Sequence, residues 1–285
     1  MKPQNQSVPP KAQDRLDVLA RQKEFEKEGK FDQDVEIDPP KTRTLRAGEV
    51  DFERKKLFSK LKAKLSLFLG QRFINKMTKA KMLQIENIVG VENISNLKSG
   101  AILTCNHFNA MDSFACQIAF QKAKTKGKKL FRIIKEANYT NFPGFFGFMM
   151  RNCNTLPLSD NRAAMAECLK ATDNLLAKGH LVLVYPEQSM WWNYRKPRPL
   201  KLGAFRFAVK SGVPVVPMFI TMQDSDVIGP DGFAIQKYTI HIEKPIFADK
   251  TKTDKENIEL LKTQNELVWK NIFEKTYGTK LIYQK

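Results

Sequence analysis

Long hydrophobic runs, cysteine pairs and metal-binding histidine patterns are all missing from this sequence. No window reaches the roughly 18 consecutive apolar residues that a helix needs to cross a bilayer, and residues 1–50 lack the apolar stretch of a signal peptide. The four cysteines form no CxxC pair, so we expect buried thiols in a reducing compartment. His180 and His241 have no neighbours at metal-ligand spacing, and we therefore expect no metal site.

Acidic residues are scarce relative to basic ones. The chain has 30 Asp and Glu against 48 Lys and Arg, a formal net charge of +18. This excess predicts attraction to polyanions such as nucleic acid, an anionic membrane surface or an acidic carrier protein. Nucleic acid is the least favoured of these partners, because the sequence contains no nucleic-acid recognition motif and no zinc-finger spacing.

The chain divides into three predicted segments. Residues 1–50 are rich in charge and proline and are predicted to form a flexible or loosely docked arm, with a short helix around Asp14–Lys27. In residues 51–81 apolar side chains recur at helical spacing between lysines and arginines, which predicts one or two basic amphipathic helices. These helices are expected to associate with a membrane, the alternative being an apolar face packed on the core. Residues 82–285 are predicted to form the main domain.

The main domain alternates predicted strands with predicted helices. The predicted strands are Leu83–Val91, Ala101–Cys105, Phe131–Lys135, Thr155–Leu158, Leu181–Tyr185, Val215–Thr221 and Tyr238–Ile246. The predicted helices are Asp112–Lys124, Ala163–Lys178, Gly203–Ser211 and Lys255–Tyr277. This alternation indicates an α/β fold in which helices cover both faces of a mostly parallel central sheet. Sites in such folds form at the carboxyl ends of the strands.

The predicted strand Ala101–Cys105 ends in an Asn-His-x4-Asp motif that contains His107 and Asp112. A carboxylate on one imidazole nitrogen fixes the tautomer and favours the imidazolium that forms when the other nitrogen takes a proton. The motif therefore indicates a general base and the residue that orients it. Two alternatives stay open at this point: Asp112 could only cap its helix, and Cys105 could be a nucleophile beside His107 rather than a buried thiol.

Two further motifs follow later strands. Glu187 lies in a Tyr-Pro-Glu-Gln-Ser segment directly after the predicted strand Leu181–Tyr185, so it is expected at the same sheet edge as His107. By itself the acid could equally be a solvated residue in a turn. Val213–Pro217 is an apolar strand entered through a proline and indicates packing when taken alone.

Taken in order, the three motifs resemble those of the lysophosphatidate (1-acylglycerol-3-phosphate) acyltransferase family, from about Met82 to Phe247. The resemblance implies that His107 is the base and that Asp112 orients it. It implies direct attack of a lipid hydroxyl on an acyl thioester, without an acyl-enzyme, a metal or a cofactor. The donor would be acyl-coenzyme A or an acylated acyl carrier protein. The acceptor would be a lysophospholipid, in the first place 1-acylglycerol-3-phosphate, which would give phosphatidic acid.

The resemblance also implies residues that bind the acceptor. Asn106 belongs to the same block as His107, Glu187 to the acceptor block, and Gly203 to the Lys-Leu-Gly-Ala segment beyond it. Two positions depart from the family pattern, since Met190 and Ser159 stand where arginines are expected. Arginine is the side chain suited to bidentate phosphate contacts.

Other basic residues are therefore candidates for the acceptor phosphate: Arg162, Arg195, Arg198 and Lys201. The alternatives are an acceptor without a phosphate monoester, or a catalytically silent lipid-binding protein on the same scaffold.

Aromatic side chains in two places suggest contact with lipid. The stretch 141–150 could line an acyl-chain groove or press into lipid, or it could cover the sheet as a loop and short helix. Trp191, Trp192 and Tyr194 suit a membrane–water boundary, although they could also pack a loop. Together with the basic segment 51–81, these features predict peripheral or monotopic attachment to the cytoplasmic face of a membrane.

Overall fold

The computed structural model describes residues 9–36 and 43–284. Residues 1–8, 37–42 and 285 lie outside the described residues, so the Pro39-Pro40 part of the predicted arm does too. The described strands are β1 Gln84–Val89, β2 Ala101–Thr104, β3 Leu130–Lys135, β4 Thr155–Leu158, β5 Leu181–Val184, β6 Val215–Ile228 and β7 Ala234–Ile242. The described helices are α1 Gln13–Lys27, α2 Leu57–Lys79, α3 Glu92–Ser95, α4 Asp112–Lys122, α5 Glu136–Thr140, α6 Gly144–Asn152, α7 Arg162–Ala177, α8 Gly203–Ser211 and α9 Asp254–Tyr277.

The seven strands form one sheet in the order β1-β7-β6-β2-β5-β3-β4. All neighbouring strands are parallel except β6 and β7, which are antiparallel. β2 lies between β5 and β6, and its last residue, Thr104, is level with Val184 and Pro217. The loops after β2 and β5 therefore leave the sheet side by side, whereas β6 continues past them to Ile228.

Alternating side chains of the strands fill a hydrophobic core on each face of the sheet. Ile102 and Val182 belong to the core that contains α7, α8 and α9. Leu103 and Leu183 belong to the opposite core, together with α4 and Ile74 of α2. Because a strand presents successive residues to opposite faces, a continuous apolar strand needs cover on both sides. The predicted α/β fold, with a mostly parallel sheet between helical layers, is confirmed.

The sheet differs from the prediction at β6 and β7. β6 continues seven residues beyond Thr221, and β7 begins at Ala234 and ends at Ile242. The extension of β6 pairs with β7 in a long antiparallel hairpin. Several side chains of this extension are exposed to solvent, so polar residues are tolerated there. Ile246 makes only an isolated bridge to Val215, since the preceding proline has no N–H to donate.

The described part of the predicted arm is packed on the main domain. α1 buries Val18, Gln22 and Glu26, which are four residues apart and therefore share one helix face. Val18 and Val35 form a small core with Trp191 and Trp192. Residues 9–36, predicted to be flexible or loosely docked, are thus docked through buried side chains.

The segment predicted as one or two amphipathic helices is the single helix α2. The face of α2 that touches the domain consists of Ala63, Ser66, Gly70 and Ile74. A Cβ at Gly70 would lie 2.8 Å from the Met149 side chain of α6, so the glycine allows the two helices to approach closely.

The larger apolar side chains in the first half of α2 point away from the core. Phe58 is 76% exposed and Leu61 is 52% exposed, and Leu57, Leu65 and Phe68 are similarly uncovered. The alternative in which the apolar face of this helix packs on the core is therefore wrong for these positions. Within residues 9–36 and 43–284, no helix combines the length and the hydropathy that crossing a bilayer requires.

Candidate active site

His107 lies at the carboxyl edge of the sheet, directly beyond β2. Its Nδ1 is 2.7 Å from Oδ2 of Asp112, which is the first residue of α4. The same oxygen accepts a hydrogen bond from the backbone N–H of Phe108 at 3.1 Å. The carboxylate therefore binds back into the histidine turn instead of capping α4. Because Nδ1 is engaged and the His107 side chain is 24% exposed, Nε2 is the nitrogen that can receive a proton from a substrate.

Tyr185 completes this pair, although the sequence did not point to it. Its hydroxyl donates to Oδ1 of Asp112 at 2.8 Å, and its ring stacks on the imidazole of His107 with the centroids 4.2 Å apart. Burial and the negative charge of Asp112 raise the pKa of the Tyr185 phenol well above its usual range. Tyr185 therefore stays protonated and acts as a hydrogen-bond donor. Both oxygens of Asp112 are thus held in place.

Two buried polar residues hold the backbone on either side of His107. Asn106 accepts from the N–H of Ile220 at 2.8 Å and donates to its carbonyl at 3.0 Å, which ties the turn to β6. Glu187 accepts from the N–H of His107 at 2.9 Å. Its other oxygen accepts from the N–H of Arg198 at 2.8 Å. The polar atoms of both side chains are therefore used to position the histidine, where the sequence had suggested contact with the acceptor.

The loop over residues 188–200 covers this turn and is itself held by the N-terminal arm. Its Trp191 N–H donates to the carbonyl of His107 at 3.1 Å, and the Trp191 indole donates to the carbonyl of Gln33 at 2.9 Å. Arg198 donates to the carbonyl of Phe31 at 2.9 Å. The arm thus holds, through these two hydrogen bonds, the loop that contacts the His107 turn.

The arrangement is suited to general-base chemistry on a substrate hydroxyl. An imidazole with a fixed tautomer and one available nitrogen lies beside a carboxylate that stabilises the imidazolium. Cys105, two residues before His107, is fully buried, and burial raises the pKa of its thiol well above the usual range. The thiolate is therefore strongly disfavoured, and the structure argues against Cys105 as a nucleophile.

The sequence of this region matches a family model described as acyltransferase, over residues 86–221. These residues are similar to the acyltransferase family. The match contains β2, β5, the His107 turn and the Glu187 turn, which confirms the family that the three motifs predicted. The sheet of the acyltransferase domain extends beyond the matched residues, since β7 lies after them.

Two curated relatives carry the name 1-acyl-sn-glycerol-3-phosphate acyltransferase and are chloroplastic. The protein from Brassica napus is 30% identical over 170 residues, which are 58% of this chain and 46% of that protein. The protein from Arabidopsis thaliana is 32% identical over 148 residues, 51% of this chain and 38% of that protein. The chain thus spans less than half the length of these relatives. Among solved structures, the 1-acyl-sn-glycerophosphate acyltransferase of Thermotoga maritima aligns with a TM-score of 0.46 at 24% identity, covering 72% of this chain and 79% of that one.

The cations predicted to replace the two missing arginines form no open cluster beside the His107 imidazole, although Arg198 donates to the His107 carbonyl at 3.4 Å. Arg198 is buried in an ion pair with Glu187 at 3.0 Å, where both side chains are almost inaccessible. Arg195 pairs with Asp224 on β6 at 2.6 Å. Arg162 begins α7 after β4, and β4 is the third strand away from β2. At a spacing of about 4.8 Å per strand, this places Arg162 on the order of 14 Å to the side.

Two of the predicted acceptor-binding residues lie next to the Glu187 turn. The N–H of Lys201 donates to the carbonyl of Pro186 at 2.9 Å, and its ammonium pairs with Asp32 of the arm at 2.9 Å. Gly203 is the exposed first residue of α8, and a Cβ there would meet nothing within 4 Å. Lys201 is thus the predicted cation that stays both exposed and close to the turn.

The position of the first missing arginine is covered by the arm. Ser159 is buried after β4 and donates a short hydrogen bond to the carboxylate of Glu136. The same carboxylate accepts from the N–H of Leu45 at 2.7 Å. Met190, at the second position, is half-buried in the loop 188–200. A phosphate site built as the family pattern predicts is therefore not formed at Ser159.

The tryptophans predicted at a membrane boundary are inside the protein. Trp191 is fully buried and Trp192 nearly so, both in the small core with α1. The membrane-boundary interpretation is wrong for these two residues, and the alternative, packing of a loop, is what the structure has. The stretch 141–150 forms most of α6, where Phe145 and Phe146 are partly exposed and contact Phe73 of α2.

Proposed function

We propose that this protein is an O-acyltransferase that transfers a fatty acyl group from an acyl thioester to the free hydroxyl of 1-acylglycerol-3-phosphate, giving phosphatidic acid. The observation that carries the proposal is the 2.7 Å contact between His107 and Asp112 at the carboxyl edge of the acyltransferase domain. The names of the two plant relatives support the acceptor. The donor would be acyl-coenzyme A or acyl carrier protein carrying the acyl group.

The proposed reaction is a direct transfer. The acceptor hydroxyl gives its proton to Nε2 of His107 while its oxygen forms a bond to the thioester carbonyl carbon. The carbon–sulfur bond then breaks, and the proton on His107 passes to the departing thiolate. Asp112 stabilises the imidazolium between these two proton transfers, and Tyr185 and Glu187 hold the pair in position.

Lys201 is proposed to meet the acceptor phosphate at the edge of the site. Its pairing with Asp32 is a surface ion pair, with both side chains more than two fifths exposed. Such pairs contribute little, about 0–1 kcal/mol. A phosphate dianion can therefore replace Asp32 as the partner of Lys201.

The exposed face of α2 is proposed to attach the protein to an anionic membrane surface, on its cytoplasmic side. Phe58, Leu61 and Phe68 project from this face, and lysines and arginines flank them along the helix. Partly exposed Phe145 and Phe146 extend the same surface onto α6. Apolar side chains that enter the headgroup region next to basic ones that contact anionic lipid are the features of a monotopic anchor.

A labelled acyl thioester and a panel of acceptors test the activity. The purified protein should acylate 1-acylglycerol-3-phosphate, and His107→Ala should reduce kcat by about 10²- to 10⁴-fold, the contribution of a positioned general base. His241→Ala is the control, since His241 lies on β7 and bonds Thr221 instead of Asp112. Equal transfer by His107→Ala and the wild-type protein would refute the mechanism.

A second candidate function is acyl transfer to a lipid hydroxyl without a phosphate. It is favoured by the buried Ser159 at the position where a phosphate-binding arginine is expected. The panel of acceptors includes a monoacylglycerol, which has the free hydroxyl but no phosphate. Acylation of the monoacylglycerol in preference to 1-acylglycerol-3-phosphate would support the second candidate. If no acceptor is acylated, the remaining hypothesis of a silent lipid-binding scaffold is supported.

A further inference from the structure

A cavity of about 400 Å³ opens at the start of α2, outside the site around His107. It lies between the chain that leads into α2 and the helices α5 and α6. Its charged lining consists of four basic side chains, Arg54, Lys56, Lys62 and Arg151, and two acidic ones, Glu49 and Asp51. The balance of charge in the cavity is therefore positive.

Arg54 is the central observation, because it is a buried cation without a carboxylate partner. It is only 7% exposed. Its guanidinium donates to the carbonyls of Asp51 at 3.3 Å and Arg151 at 3.0 Å. Its Nε is buried with no hydrogen-bond partner in the described residues. Burial of a guanidinium without a paired carboxylate is costly, and burial lowers the pKa of Arg54 although the charge of Asp51 opposes this.

The two acidic residues of the cavity are already engaged. Glu49 accepts from both terminal nitrogens of Arg43. The two oxygens of Asp51 accept from the backbone N–H groups of Lys55 and Lys56, each at 2.9 Å. Neither carboxylate forms an ion pair with Arg54, although the negative charge of Asp51 acts on the guanidinium from nearby.

The other cations of the cavity are also available for an anion. Arg151 donates to two backbone carbonyls, those of Tyr139 and Phe142. Within residues 9–36 and 43–284, neither Arg151 nor Lys56 nor Lys62 forms an ion pair with a carboxylate. Ser59 and Asn152 add neutral hydrogen-bonding groups to the lining.

We propose that this cavity binds a phosphate group, carried either by the headgroup of a membrane lipid or by a soluble phosphate ester. Arginine side chains with further donors nearby are the usual partners of phosphate oxygens, and the volume falls at the small end of the range for ligand sites. The cavity opens on the same helix whose exposed Phe58 and Leu61 face outward. The inference concerns binding alone and does not rest on acyl transfer.

The soluble form of the ligand is tested by calorimetry with inorganic phosphate and with glycerol 3-phosphate. Lys56→Gln/Lys62→Gln should weaken the binding of phosphate by about tenfold. Lys60→Gln/Lys64→Gln is the matched control, because it removes the same charge from exposed positions of the same helix that do not line the cavity. Phosphate should also raise the melting temperature of the wild-type protein more than that of Arg54→Met.

The lipid form is tested with phosphatidylcholine vesicles that contain phosphatidic acid or phosphatidylserine. Preference for phosphatidic acid that is lost in Lys56→Gln/Lys62→Gln, but kept in Lys60→Gln/Lys64→Gln, assigns the site to a lipid headgroup. Phosphate binding in solution without that preference assigns it to a soluble ester. The proposal is overturned if the two double variants behave alike in both experiments, because the cavity would then add nothing to the general charge of α2.

Discussion

At the scale of single residues, the function proposed for His107 depends on a carboxylate whose two oxygens have separate partners. Asp112 binds the imidazole through Oδ2 and the Tyr185 hydroxyl through Oδ1. The second bond restricts rotation of the carboxylate, and the stacked ring restricts rotation of the imidazole. Orientation of the base is therefore shared between two residues that are far apart in sequence.

Removing only the Tyr185 hydroxyl tests this arrangement. We expect Tyr185→Phe to lower kcat by about tenfold, equivalent to about 1.4 kcal/mol, because Asp112 loses one of its hydrogen bonds while the ring stays in place. Steady-state kinetics on an acyl thioester measures the effect. Tyr283→Phe is the control, since the Tyr283 hydroxyl binds a carbonyl at Pro197. An unchanged kcat in Tyr185→Phe would show that the orientation of Asp112 does not depend on this bond.

The role of Glu187 can be separated from contact with the acceptor. In Glu187→Gln the buried charge of Arg198 loses its partner, so we expect the free energy of unfolding to fall by about 3–5 kcal/mol. Urea denaturation measures the loss, and Glu187→Gln/Arg198→Met should be less destabilised than the sum of the two single variants. A raised KM with unchanged stability would instead restore the acceptor-binding role that the sequence suggested.

Local residues of the site could be predicted from the sequence, and distant partners could not. His107 and Asp112 are five residues apart in one turn, so their contact requires no knowledge of the sheet. Tyr185 reaches Asp112 only because β2 and β5 are neighbours that end in register, with Thr104 level with Val184. A strand order cannot be derived from the periodicity of one strand. The signal that could have found Tyr185 was its place directly after a second buried strand.

At the scale of secondary-structure elements, α2 combines a small inner face with a large apolar outer face. We expect Phe58→Ser/Leu61→Ser to reduce partition onto anionic vesicles by at least about tenfold, because two side chains no longer leave water. Co-sedimentation measures the partition. Phe247→Ser/Leu267→Ser is the control, since these residues are similarly exposed, at 63% and 55%, and lie outside α2. Equal losses in both double variants would exclude α2 as the anchor.

The helices and strands of the main domain could be predicted from the sequence because their apolar residues recur with a clear strand or helix periodicity. β4 and α8 have the predicted bounds, α7 is shifted by one residue at both ends, and α9 begins one residue earlier than predicted. The docking of α1 did not follow, because two of the three residues on its buried face are Gln22 and Glu26. These polar side chains bind the carbonyl of Trp192 and the ammonium of Lys196. A face that docks through hydrogen bonds has no apolar periodicity to detect.

At the scale of the whole molecule, the net charge of +18 predicts how attachment to membranes responds to salt. Raising the ionic strength from about 0.01 M to about 1 M shortens the Debye length from about 30 Å to about 3 Å. We expect binding to anionic vesicles to weaken strongly over this range but not to vanish, because the apolar contacts of α2 are not screened. Vesicle flotation at increasing salt measures both parts. Binding that is insensitive to salt would exclude an electrostatic contribution.

The docked arm has a practical consequence for anyone who trims this protein to its recognisable family region. A fragment that starts near residue 86 would lack α1 and the residues around Phe31 that cover Trp191. The indole of Trp191 would then be exposed to water next to Trp192, and the two side chains would form an exposed hydrophobic patch of the kind that promotes aggregation. Poor solubility of such a fragment would result from the absence of the N-terminal arm that covers Trp191. Low activity of the fragment would therefore not be evidence against His107 as the general base.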